Sequence, residues 1–144
     1  MEAPVRWRHP VLGDLSPTEF VPIAEHTGSS RHLTSWALAR AIRHLAQWRA
    51  AGLDIDVAVN LSAPDIMDPQ LVEEIQACLH EHSVEPSRLV LEITESAVMR
   101  DPTLAARHMR LLKLAGVRFA MDDFGTGHSS LAQLSRLPLE HLKI

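Results

Sequence analysis

One cysteine in 144 residues, Cys78, excludes an internal disulfide framework and suits a reducing cytosol. Basic excess is also missing. Fourteen Lys and Arg against eighteen Asp and Glu give a formal charge of −4, so the chain has no electrostatic footprint for DNA or an anionic membrane. Any phosphate ligand must be gripped locally. No apolar run reaches the ~18 residues of a membrane span. The polar start, with Glu2, Arg6 and Arg8, is not a signal peptide. No membrane segment is expected in this part, although a longer parent protein could be membrane-anchored. The nine histidines show no metal or triad spacing, and solvent-facing roles are expected for nearly all. Gly125-Thr126-Gly127 matches neither a P-loop nor a dinucleotide fingerprint. What is present is a 46% hydrophobic content, enough for the core of one domain.

Helix and strand signals alternate along the chain. Ser16-Pro17-Thr18-Glu19 is a capping box with proline at the first helical position, predicting a helix from about 17 to His26 that stops near Gly28. Leu33, Trp36, Ala37, Ala41, Leu45 and Trp48 predict a longer helix ending at Gly52, with both tryptophans in the core. The run from Ile55 to Leu61 reads as a buried strand. Asp68-Pro69 opens a helix with Leu71, Val72, Ile75 and Leu79 as its stripe, and Glu85-Pro86-Ser87 turns the chain into a strand from Leu89 to Thr94. Asp101-Pro102 opens a helix burying Leu104, Leu111 and Leu112, Gly116 ends it, and Val117 to Met121 is the next strand. A turn-rich loop from Asp122, a short helix through Leu134 and a strand-like Leu142-Lys143-Ile144 complete the pattern. A first strand is expected around Val5 to Trp7. Five strands separated by helices argue for parallel βαβ units in an α/β fold, a barrel or a doubly wound sheet.

The polar residues favour the barrel. Asn60, Glu92, and Asp122 with Asp123 each fall at or near the C-terminal end of a different strand, Glu2 opens the first, and Lys143 adds a cation. Strand C-termini converge on one face, where barrel enzymes keep their sites. Crowded carboxylates repel, and a divalent cation is the usual remedy. Oxygen-only donors favour Mg²⁺ or Mn²⁺ over Zn²⁺. A pair of ions held by the adjacent aspartates suits in-line displacement at a phosphate ester, with Lys143 orienting a water. Arg6 shares the strand face of Glu2 and suits a bidentate phosphate contact. Each residue also has a structural explanation. The aspartate pair suits turn chemistry, Asn60 a backbone bond, Glu95 the start of a solvated turn, and Lys143 the surface. Glu92, inside an apolar strand, is the hardest to explain that way, because an unpaired buried carboxylate is costly.

Glu2-Ala3-Pro4-Val5-Arg6-Trp7 resembles the E-A-L-L-R-W signature of the EAL domain family. Val59-Asn60-Leu61-Ser62, Glu92-Ile93-Thr94-Glu95, the segment from Asp122-Asp123-Phe124-Gly125-Thr126-Gly127 to Ser130, and Leu142-Lys143-Ile144 are similar to its successive motifs, in order. The resemblance implies a TIM-type (β/α) barrel that hydrolyses cyclic di-GMP to the linear dinucleotide. It implies Mg²⁺ or Mn²⁺ held by Glu2, Asn60, Glu92, Asp122 and Asp123, with Lys143 as the catalytic lysine and Arg6 on a ligand phosphate. Glu95 joins Lys143 in the catalytic set by anchoring the loop after Asp123, which is tied to metal binding and dimerisation. A homodimer, attached GGDEF or sensory domains, and a cytoplasmic location are further implications.

Two departures bear on activity. Pro4 stands where the signature has leucine, and proline in a paired strand removes a ladder donor; His128 replaces the usual tyrosine. A full barrel also takes about 250 residues. The sequence therefore reads as a partial EAL domain over 1–144, without the strand that precedes Glu2 and without the C-terminal strands that carry the family's later glutamate and glutamine. Exposed sheet edges would leave such a segment marginal, and catalytic inactivity in isolation is expected. The alternatives are a degenerate receptor that binds cyclic di-GMP without cutting it, and a non-catalytic interaction module.

Overall fold

The computed structural model describes residues 4–123, 132 and 135–142. It opens with an antiparallel ribbon of β1 (Trp7–His9) and β2 (Gly13–Leu15), with Trp7 opposite Leu15 and His9 opposite Gly13. His9 Nδ1 accepts hydrogen bonds from the Val11 and Leu12 amides, both at 3.1 Å, and Gly13 supplies the left-handed φ of +76° that closes the turn. This corrects the expected first strand. Residues 4–6 belong to neither sheet, and Trp7 pairs within the ribbon because the His9-Pro10 turn folds the chain back on itself.

Next come α1 (Pro17–His26) and α2 (Ser30–Ala50), followed by β3 (Val57–Leu61), α3 (Ala63–Met67), α4 (Gln70–Glu81), β4 (Leu89–Thr94), α5 (Glu95–Met99), α6 (Pro102–Leu114), β5 (Arg118–Asp122) and β6 (His141–Leu142). The last four strands form one parallel sheet in chain order. Parallel neighbours joined by helical crossovers are the repeating unit of an α/β barrel, here an incomplete one. Val57, Val59 and Leu61 of β3, Leu89, Leu91 and Ile93 of β4, and Phe119 and Met121 of β5 share a core with Leu38, Ile42, Leu71, Ile75, Met109 and Leu112 of the helices. The two-residue alternation of a strand leaves Asn60, Glu92, Ala120 and Asp122 on the opposite face.

The helix signals hold where caps mark them. The Ser16–Glu19 capping box opens α1, and Asp101 accepts from the Leu104 amide at 3.0 Å to open α6. Three burial expectations do not hold. The buried stripe of α6 runs through Ala105, Ala106, His108, Met109 and Leu112, which leaves Leu104 half-buried and Leu111 exposed. The stripe of α2 runs through Thr34, Leu38, Ala41, Ile42 and Leu45; Trp36 falls off it, 49% exposed, with the Arg40 guanidinium 5.3 Å from its ring. Trp48 packs against the core as expected. His108 is buried, its Nδ1 donating to the Ile66 carbonyl at 2.6 Å. Of the expected helix through Leu134 only Ala132 is described, and it is helical.

An ionic lattice laces the N-terminal ends of the sheet. Asp56, just before β3, bonds Arg88 at 3.0 Å, just before β4, and Arg118 at 2.7 Å, the first residue of β5. Arg118 continues to Glu140 at 3.0 Å, just before β6, and Lys113 reaches the same carboxylate at 3.2 Å. Partial burial pushes the Asp56 carboxyl up, but hydrogen bonds from Arg88 and Arg118, with their charges, bring it below its ordinary value. Hydrogen bonds from Arg118 and then Lys113 depress Glu140. A carboxylate depressed on folding contributes stability above its unfolded pKa and loses it as pH falls through its folded value. The thermal midpoint should therefore not fall on this account between neutral pH and about pH 4.5, and should drop progressively below about pH 4. Asp56→Asn should flatten that acid limb in a series of thermal melts; an unchanged limb would show that other groups set it.

Candidate active site

Parallel pairing brings the expected site residues to one end of the sheet. Asn60 is in register with Glu92, and Thr94 with Asp122. Adjacent strands lie about 4.8 Å apart, and two residues advance about 6.6 Å along a strand. Asn60 and Glu92 are therefore next-strand neighbours on the face away from the helices, and Asp122 follows one step toward the C-terminal end. Asn60 is exposed and Glu92 is 2% exposed. The strand end is sharply turned at Asp123, whose φ is +55° and whose amide donates to Asp122 Oδ1 at 3.0 Å. Asp tolerates that region better than most residues, and the turn breaks the alternation that would send two successive side chains to opposite faces.

Glu95 is the first residue of α5 and is buried at 4% exposure, which overturns its explanation as the start of a solvated turn. It follows directly on Thr94, whose Oγ1 caps α5 by accepting from the Ala97 amide at 3.3 Å. The loop it is expected to anchor, from residue 124 on, lies outside the described residues, as do Glu2, His128 and Lys143. Arg6 is exposed and lines a cavity of about 270 Å³ with Trp36, Arg40, His44 and Trp48. Asn60 lines a different and larger one. That cavity, about 820 Å³, lies between α1, α2 and the C-terminal ends of β3 and β4, and Thr34, Ser62, Asp65 and Arg100 also border it. Pro4, which lies in neither sheet, borders both.

The donor chemistry fits a hard divalent ion, since Asn60, Glu92, Asp122 and Asp123 offer oxygen alone. Among the described residues no three His, Cys, Asp or Glu side chains gather closely enough to hold a metal by themselves. The amide oxygen of Asn60 and a carboxylate from outside the described set, as expected of Glu2, would be needed to complete a centre.

The family model described as the EAL domain matches residues 1–144. The chain belongs to the EAL domain family. Among curated proteins, this EAL chain is 43% identical over 145 residues to the bifunctional diguanylate cyclase/cyclic di-GMP phosphodiesterase MucR of Pseudomonas aeruginosa, covering all of this chain and 21% of that protein. It is 40% identical over 144 residues to a cyclic di-GMP phosphodiesterase of the same organism, covering all of this chain and 24% of the relative. The solved MucR phosphodiesterase in complex with cyclic di-GMP superposes with a TM-score of 0.94 at 44% identity, over 99% of this chain and 58% of that one. The FimX EAL domain of Xanthomonas citri, also in complex with cyclic di-GMP, gives 0.90 at 26% identity, over 99% of this chain and 56% of that one. The chain thus spans less than a quarter of these curated relatives and a little over half of these solved chains. No helix among the described residues is long and apolar enough to cross a membrane.

One feature of this EAL site escaped the sequence reading. Asp65, 0% exposed, accepts from Thr34 Oγ1 at 2.7 Å and from the Ser62 amide and hydroxyl at 2.9 and 2.6 Å. The Ser62-x-x-Asp65 spacing is a capping-box signal that could have located it.

Proposed function

We propose that the protein containing this EAL chain hydrolyses cyclic di-GMP to the linear dinucleotide with the help of Mg²⁺ or Mn²⁺. The observation that carries the reading is the register of Asn60 with Glu92 and of Thr94 with Asp122, which lines oxygen donors along the sheet face away from the helices, at its C-terminal end. The names of MucR and the second Pseudomonas aeruginosa relative supply the substrate and the reaction. Glu2, Asn60, Glu92, Asp122 and Asp123 hold the metal, which when bound neutralises charge developing on the phosphate oxygens. Lys143 orients the attacking water, Arg6 grips a phosphate, and Glu95 supports the loop after Asp123 from its buried position at the head of α5. By the same family reading the protein works as a homodimer in the cytoplasm, with GGDEF or sensory domains beside a domain of which residues 1–144 are a part.

The test is hydrolysis of cyclic di-GMP with Mg²⁺ or Mn²⁺ and with chelator, on the 144-residue chain and on a longer chain that spans the full length of the MucR structure. Chelator-sensitive turnover by the longer chain alone is the expected result. No turnover by either, with binding retained, would favour the receptor reading instead.

A further inference from the structure

We propose that Asp65, bridged to Thr34, is a positioning residue for Asn60. The inference rests on the reading of Asn60 as a metal ligand. The evidence begins with an uneven carboxylate. Asp65 Oδ2 takes all three hydrogen bonds, from Thr34 and twice from Ser62, while the buried Oδ1 has no partner among the described residues. Leaving a buried carboxylate oxygen unpaired is costly. Capping alone does not require the cost, since the same box at α1, Ser16 with Glu19, does its work fully exposed. The helix that Asp65 caps, α3, is only five residues long and has little intrinsic stability to gain.

What burial provides is the reach to Thr34 on α2. Ser62 lies two residues beyond Asn60, just past the C-terminal end of β3. The Thr34–Asp65–Ser62 link supplies a lateral tie at that point, and His108 pins the far side of α3 through the Ile66 carbonyl. Thr34, Asn60, Ser62 and Asp65 border the same large cavity. Breaking the tie frees the end of β3 and disperses the Asn60 amide oxygen, while the core beneath keeps its packing.

The experiment is a Mn²⁺ titration of the full-length protein followed by electron paramagnetic resonance, with thermal melts in parallel. Thr34→Val and Asp65→Asn should each weaken Mn²⁺ binding by about 10-fold, the lower end of the range for groups that support metal ligands. Thr34→Ser, which restores the hydroxyl, should bind like the parent, and the core variant Ile42→Val should keep parental affinity despite a lower midpoint. Parental affinity in Thr34→Val alongside a weakened Asn60→Ala overturns the proposal, as does an equal loss in Ile42→Val. If Asn60→Ala binds Mn²⁺ as the parent does, or the parent binds none, the metal reading of Asn60 has failed and this inference falls with it.

Discussion

With Glu92 read as a metal ligand, Glu92→Gln in the longer chain should lower metal-dependent hydrolysis of cyclic di-GMP by about 100-fold or more, because it would remove a ligand charge while preserving shape. Glu92 is 2% exposed on a strand whose alternate residues, Leu91 and Ile93, are completely buried in the core. A carboxyl group in that setting needs something to offset its burial. If that something is a cation, the amide variant loses activity and Mn²⁺ affinity together, and its urea midpoint stays close to the parent's in the absence of metal. If Glu92 is instead a structural group, the order reverses: stability falls and any remaining activity keeps its metal dependence. Measuring kcat, Mn²⁺ affinity and the urea midpoint on one preparation separates the two.

A second large effect belongs to the core. Phe119→Ala should cost about 3 to 5 kcal/mol, the usual range for truncating a fully buried aromatic. Phe119 is 0% exposed at the second position of β5, and its ring is among the largest fully buried side chains of the chain. Set against the roughly 5 to 15 kcal/mol that stabilises an ordinary domain, the loss consumes much of the margin. Leu114→Ala is the matching control: that leucine ends α6 at 85% exposure, and its removal should change stability by less than about 0.5 kcal/mol. Urea unfolding of both checks the contrast, and comparable losses would mean that β5 is not central to the core.

The sequence was legible wherever a signal is local. Ser16 and Asp101 announce helix starts through their side chains, and the apolar run from Leu89 announces β4, because caps and strand patterns act within a few residues. The three-residue ribbon of β1 and β2 and the five-residue helices α3 and α5 were not anticipated, being too short for either period to register. Trp36 and Leu111 were misjudged for a different reason. Apolar character says that a residue can be buried, whereas the neighbouring elements decide which hundred degrees of a helix are covered. For the site, strand ends gave the positions of Asn60, Glu92 and Asp122, and the register that makes the first two neighbours followed from parallel pairing. The Thr34–Asp65 bond joins residues 31 apart, and the Asp56–Arg118 bond residues 62 apart. Neither leaves a mark in local periodicity, since each depends on where whole elements come to rest.

The spacing of the strand pairs carries a consequence for how the chain acquires its shape. Val57 pairs with Leu89, Val90 with Arg118, and Ala120 with His141, so each new strand finds its partner about twenty to thirty residues back, at a similar closure entropy. No strand from β4 to β6 must wait for one made much later. The sheet can therefore assemble in the direction of synthesis, one strand at a time, as each emerges from the ribosome. Refolding from denaturant, where all segments are released at once, has no such order imposed on it, and the two routes need not share a rate-limiting step.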